Sequence, residues 1–164
     1  MAGSEVETQF VTFALGKEVF AAPVSQVREI LDNCPAFKIP NGPAYLLGLI
    51  DVRGQGVPTL DLRLRLGLGA TEPTPNTRIL VLDLPVGDRL LTLGLLADRV
   101  FEVVAISPGD VEPAPDVGVK WSSAYIAGVV RRPEGFVVLM NLGSLLTTEE
   151  AAELGASAVL EHAA

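Results

Sequence analysis

This 164-residue chain has one histidine and one cysteine, His162 and Cys34, the residue types most often used as general base, thiolate nucleophile and zinc ligand. His162 is the third residue from the C-terminal end and reads as a solvated passenger, not as a general base. Cys34 lies in a Pro-flanked stretch and reads as a small half-buried side chain. One Cys and one His cannot complete the three or four ligands of an ordinary zinc site. Asp51 and Asp61 could form the carboxylate pair that general acid–base work requires. Ten residues apart across a hairpin pattern, they read instead as turn and cap groups. Gly54-Gln55-Gly56 lacks the GK[ST] that completes a phosphate loop and precedes a strand pattern, so turn chemistry explains it. Catalysis has no evident carrier, and the expectation is a chain that is not an enzyme and uses no metal and no cofactor.

The elements that would position these residues are written twice. Residues 45–62 read YLLGLIDVRGQGVPTLDL and residues 125–142 read YIAGVVRRPEGFVVLMNL. A shift of 80 positions aligns Tyr45 with Tyr125, Gly48 with Gly128, Val57 with Val137, Asp61 with Asn141 and Leu62 with Leu142. Each copy is an apolar run, a Gly-containing polar turn and a second apolar run, which is the grammar of a β-hairpin. A weaker echo sets Val27-Arg28-Glu29-Ile30 against Val100-Phe101-Glu102-Val103. Two copies point to two related β-modules side by side.

Most of the remaining chain also reads as short strands. Gln9 to Leu15 and Val19 to Ala22 flank a Gly-Lys-Glu turn. Pro23 suits the first turn of a helix, and Val24, Val27, Ile30 and Leu31 recur at helical spacing, so 23–31 is expected to be a short amphipathic helix. Residues 33–43 form a Pro-rich loop, and 62–66 alternate as either a strand extension or a helical turn. A loop over 67–76 leads to a hairpin over 78–84 and 90–96, then a strand over 101–106 and a Pro-rich connector over 107–118. Thr147-x-x-Glu150 is a capping-box pattern opening a helix over 149–154. Short strands punctuated by turns every 8 to 12 residues favour barrels, and closure into barrels removes exposed sheet edges. Together with the repeat they predict a mainly β fold of two small barrels packed together.

Composition excludes several functional classes. Hydrophobic residues make up 49% of the chain and aromatics 5%, so the core must be built from Val, Leu, Ile and Ala. The net charge of -8, with 12 scattered Lys and Arg, argues against nucleic acid or an anionic membrane as partner. The N-terminal sequence has no secretory pattern, no apolar run reaches the roughly 18 residues of a membrane span, and the lone Cys fits a reducing compartment. A cytoplasmic binding module is the expectation.

The order of motifs supports that class. Phe10-Val11-Thr12-Phe13 before a Gly turn, Val27-x-Glu29-Ile30, Gly48-Leu49-Ile50-Asp51-Val52-Arg53-Gly54 and Val57-Pro58-Thr59-Leu60-Asp61-Leu62 follow one another. Pro113-Ala114-Pro115, Tyr125-Ile126-Ala127-Gly128 and Leu139-Met140-Asn141-Leu142 come after them. In this combination the chain resembles the CheW family of bacterial chemotaxis coupling proteins, over roughly residues 8–155. The resemblance implies two intertwined five-stranded β-barrel subdomains with short helices, flanked by tails at 1–7 and 156–164. It implies a noncatalytic adaptor joining the cytoplasmic tip of methyl-accepting chemoreceptors to the regulatory domain of the histidine kinase CheA. Recruitment to membrane-associated receptor arrays follows, with association of the protein with itself in rings as a further expectation. A coupler of a parallel chemosensory pathway, serving pilus motility or development, is the alternative.

Carried over by motif, the implied receptor surface contains Val24, Val27, Glu29, Ile30, Gly48 and Arg53. A helical receptor tip needs an apolar groove for its anchors, and Arg53 offers a planar fork that Lys lacks. Each has a plainer reading: the three apolar residues as core, Gly48 as relief of crowding, Arg53 as a solvated charge, Glu29 as a local partner of Arg28 or Arg53. Asp51 stands where the family often has Asn and adds a negative charge that could hold Arg53 in an internal pair, which would alter receptor preference. The kinase contact carried over to 112–117 rests on Glu112 and Val117, where the family can have a basic and an aromatic residue.

Overall fold

A computed structural model describes residues 7–86, 88–113, 125–133 and 135–145. Eleven strands within these residues form two sheets. The first hairpin is β1 (Thr8–Leu15) and β2 (Glu18–Pro23). A strand β3 (Val27–Asp32) and the first repeat hairpin, β4 (Leu46–Val52) with β5 (Gln55–Asp61), come next. A four-residue helix α1 (Leu62–Arg65) leads to the hairpin β6 (Arg78–Val86) and β7 (Arg89–Ala97). The chain then forms β8 (Arg99–Ile106), the two-residue β9 (Val111–Glu112) and the second repeat hairpin, β10 (Ile126–Arg132) with β11 (Gly135–Met140). The sheets run β8-β1-β2-β11-β10-β9 and β3-β6-β7-β5-β4.

These orders make the two subdomains intertwined. Leaving the first hairpin, β3 crosses to pair with β6 in the other sheet, while β8 leaves β7 and returns to pair with β1. Each repeat hairpin joins its sheet through a parallel pair, β5 with β7 and β11 with β2. Side chains alternate between a private and a shared core, as the period of a strand requires. In β6, Ile79 and Val81 enter a cluster with Ile50, Val52, Val57 and Leu96, while Leu80, Leu82 and Leu84 face a cluster common to both sheets. In the other sheet, Ala21, Val130, Val137 and Leu139 fill the private cluster, while Phe20, Val138 and Met140 face the common one.

The 80-residue repeat extends to irregularities that no apolar pattern displays. Leu47 in β4 and Ala127 in β10 are the extra residues of corresponding bulges. The Asp61 N–H donates to the Tyr45 carbonyl at 2.8 Å, as the Asn141 N–H does to the Tyr125 carbonyl at 2.8 Å. Where the copies meet, the Arg65 guanidinium lies 4.7 Å from the Tyr45 ring centre and 5.6 Å from that of Tyr125, and its Nε donates to the Leu145 carbonyl at 2.7 Å.

The segment expected to be helical over 23–31 is not. Val24–Gln26 make a single 3-10 turn and Val27–Asp32 is an edge strand. A bulge at Arg28 is the reason. Val27 pairs with Leu82 and Ile30 with Leu80, so the extra residue places both on the same face three positions apart, which imitates helical spacing. The open choice at 62–66 resolves to the helical turn of α1. Cys34, expected to be half-buried, is exposed. The helix expected over 149–154 and both tails, save Glu7, lie outside the described residues.

Asp61 carries out the capping role read for it. Its Oδ1 accepts from the Arg63 and Leu64 N–H groups at 3.1 and 3.4 Å, and its carboxylate also takes the Thr71 N–H and hydroxyl at 2.9 and 2.7 Å. With the side chain buried, loss of these bonds strands several donors, each costing about 1–3 kcal/mol. Asp61→Ala is therefore expected to destabilise the fold by about 2–4 kcal/mol in a urea titration.

Candidate functional site

The strand β3 brings three of the six proposed receptor residues, Val27, Glu29 and Ile30, to one rim of the five-stranded sheet, and Val24 lies in the 3-10 turn before it. Cross-strand partners share a face, so Val27 opposite Leu82 and Ile30 opposite Leu80 lie on the side of the common core. Val24 and Val27 pack against that core, whereas Ile30 remains 42% exposed at its margin. Glu29 opposite Val81 and Leu31 opposite Ile79 turn to the private cluster instead. The result is an apolar edge between the sheets, made by Val24, Val27 and Ile30, flanked by a carboxylate.

Arg53 reaches the same rim from the far end of the sheet. The β4–β5 turn closes between Val52 and Gln55, with Arg53 at φ 55 and Gly54 at φ 85, the two left-handed positions of a type I′ turn. Its Nε and Nη2 lie 3.3 and 3.4 Å from the two oxygens of Glu29. An internal pair with Asp51 does not hold Arg53, because the Asp51 carboxylate accepts the Gly54 N–H at 2.9 Å and is occupied in shaping the turn. The Arg53 side chain is 82% exposed, so its pair with Glu29 contributes at most a few tenths of a kcal/mol. It leaves most of the guanidinium open to a partner.

Gly48 acts at one remove. It sits in β4 at φ 140, and a Cβ placed there would overlap the carbonyl oxygen of Phe37. Phe37 and Leu49 exchange backbone hydrogen bonds at 2.7 and 2.8 Å, so the space left by Gly48 is filled by the 33–45 segment of this chain. On the kinase side, Glu112 lies in β9 opposite Val129, and its carboxylate takes the Arg131 Nε–H at 2.9 Å. Val117 lies outside the described residues.

Sequence reasoning missed the polar contacts behind the rim. Arg28 Nε donates to Asp83 Oδ2 at 2.9 Å and Nη1 to Gln55 Oε1 at 3.4 Å, while Thr92 Oγ1 donates to Asp83 Oδ1 at 2.7 Å. The signal available was Arg28 itself, the polar member of an echo whose counterpart is Phe101.

Comparison with known proteins agrees with this architecture. The family model described as a CheW-like domain matches residues 9–150. The chain is 32% identical over 142 residues to the chemotaxis protein CheW of Rhizobium meliloti (strain 1021), covering 87% of this chain and 89% of that protein. It is 28% identical over 144 residues to Protein FrzA of Myxococcus xanthus, covering 87% of each. The crystal structure of the scaffolding protein TtCheW from Thermoanaerobacter tengcongensis superposes with a TM-score of 0.77 at 27% identity, covering 87% of this chain and 89% of that one. With matching sheets, a repeat that accounts for both, and a family match over nearly its whole length, this chain belongs to the CheW-like family.

Proposed function

We propose that the protein is a noncatalytic adaptor that couples methyl-accepting chemoreceptors to a CheA-type histidine kinase at membrane-associated arrays. The observation that carries this reading is the rim itself. Val24, Val27 and Ile30 lie on the common-core side of the β3 edge, with Ile30 42% exposed, and the outward-facing Arg53 meets the same strand at Glu29 on its other side. An amphipathic helical receptor tip would seat apolar anchors on that edge and offer a carboxylate or carbonyl to the guanidinium fork. Glu29 is the local partner that Arg53 exchanges for the receptor, and Gly48 keeps the 33–45 segment seated beside the rim. Glu112 and Val117 form the proposed kinase-facing region, and self-association in rings would use the remaining exposed edges.

Co-sedimentation with receptor-containing membranes and a CheA-type kinase tests the reading. The protein is expected to pellet, to recruit the kinase and to raise its autophosphorylation; pelleting with neither partner overturns the reading. Arg53→Ala and Ile30→Ala are each expected to weaken receptor binding about tenfold with an unchanged melting temperature, since both side chains are substantially exposed. Loss of thermal stability in step with binding would instead assign either residue to the fold. The similarity to FrzA at the same coverage supports a second reading, a coupler of a parallel chemosensory pathway. Binding of the kinase but of none of the chemotaxis receptors offered would favour it.

A further inference from the structure

Arg28 is the extra residue of the β3 bulge, a device that re-aims a side chain. It points to Asp83 on the neighbouring strand and to Gln55, the first residue after the turn that bears Arg53. Behind Asp83 stands the buried Thr92, whose hydroxyl occupies the second carboxylate oxygen. The contacts run without a break from β7 through β6 and β3 to the β4–β5 turn. The exposed Glu29–Arg53 pair does not fix that turn alone; a second contact, Arg28 Nη1 to Gln55 Oε1 at 3.4 Å, joins β3 to the same hairpin, and the charge-assisted Arg28–Asp83 bond at 2.9 Å sets the guanidinium that makes it.

The sister sheet shows that the fold does not require these residues. Val100 pairs with Phe13 as Val27 pairs with Leu82, which makes Phe101 the counterpart of Arg28 and Ala14 that of Asp83. Ala14 pairs with Val19 as Asp83 pairs with Thr92, and Gly135 stands where the repeat has Gln55. Four positions that are polar and connected in one sheet are thus Phe, Ala, Val and Gly in the other. The second sheet forms without such a chain of contacts, so it answers a need of the first sheet alone.

The geometry points to Arg28, Asp83 and Thr92 as positioning residues that fix the β4–β5 turn, and with it Arg53, against β3. Their role in partner binding rests on the reading of Arg53 as a receptor contact; their role in holding the turn does not. Thr92→Val replaces the hydroxyl with a methyl of similar size, Thr92→Ser keeps the hydroxyl, and Arg28→Gln breaks the same chain of contacts from its exposed end.

Each variant of the full-length protein is followed by NMR at the Arg53 and Gly54 amides and titrated with cytoplasmic tip fragments of methyl-accepting chemoreceptors. Thr92→Val and Arg28→Gln are expected to lower the order parameters of the turn from about 0.85 towards 0.6 and to weaken binding about three- to tenfold. Thr92→Ser is expected to match the unsubstituted protein. The double variant is expected to be no worse than Arg28→Gln alone, because both act through one carboxylate. A turn that stays ordered in Thr92→Val and Arg28→Gln overturns the proposal, as does additive loss in the double variant. A loosened turn with full affinity overturns the link to binding. If the unsubstituted protein binds no tip fragment, the receptor reading fails while the order parameters still decide whether these residues hold the turn.

Discussion

Gly48→Ala is expected to damage this protein more than alanine at its repeat mate Gly128 or at Gly54. Two costs coincide at Gly48. The backbone sits at φ 140, which L side chains rarely adopt, and the new Cβ would occupy the position of the Phe37 carbonyl. Relief requires breaking the paired Phe37–Leu49 hydrogen bonds and displacing the 33–45 segment. The sum is about 3–5 kcal/mol. For a chain of this size that corresponds to a fall of roughly 10 °C or more in melting temperature.

Two other glycines serve as internal controls. Gly54→Ala meets no atom within 4 Å and suffers only the left-handed backbone, at a cost of about 1–2 kcal/mol. Gly128→Ala, the repeat mate of Gly48, meets the Glu112 carbonyl at 2.9 Å and the end of the Val111 side chain, and β9 is two residues long and easily shifted. The expected order of damage is Gly48, then Gly128, then Gly54. Receptor binding lost in Gly48→Ala without loss of stability would overturn this account and make Gly48 a direct contact.

The repeat made much of the fold legible before any coordinates. Aligning Tyr45 with Tyr125 placed both hairpins, and their apolar runs are the strands buried on both faces. The intertwining was not in the residue pattern, because strand pairing between β3 and β6 or β8 and β1 leaves no local mark; the family resemblance supplied it. The misreading of 23–31 has a definite physical origin. A bulge inserts one residue, so apolar side chains on one face of a strand fall three apart at Val27 and Ile30, as they do on a helix. The echo at 100–103 held the correction, since Val100-Phe101-Glu102-Val103 reads as a strand and its mate should have been read alike.

Site residues were legible only where their type is rare for their place. A motif singled out Arg53, and of the two carboxylates weighed as its local partner, Asp51 and Glu29, the structure pairs it with Glu29. A carboxylate two residues before a turn caps the turn's own N–H groups more readily than it reaches a side chain pointing outward, and Asp51 does so. Glu29, 24 positions away, is close only because the sheet curls until its first strand meets its last turn. Asp83 and Thr92 could not be found at all, since nothing in a hairpin pattern distinguishes an interior Thr that packs from one that donates to a neighbour.

Arg53→Asn is expected to separate binding from stability. Arg53 occupies the first left-handed position of a type I′ turn, where Asn and Gly are strongly preferred. Holding a residue without a short polar side chain there costs about 1 kcal/mol. Asn recovers most of that cost and forfeits the exposed pair with Glu29, worth at most a few tenths of a kcal/mol. Folding stability should therefore stay level or rise by about 0.5 kcal/mol, a change of 1–2 °C in melting temperature. Binding to a receptor tip should fall about tenfold or more, because Asn can neither carry the charge nor present the fork. A residue placed for the fold would show the opposite pattern, with stability falling by more than 1 kcal/mol while binding held. If Arg53 is a receptor contact, a locally disfavoured, outward-facing Arg at the tip of this turn would be strain retained for binding, and it would relax in Arg53→Asn. Calorimetry and tip-fragment titration on this one variant distinguish the two patterns directly.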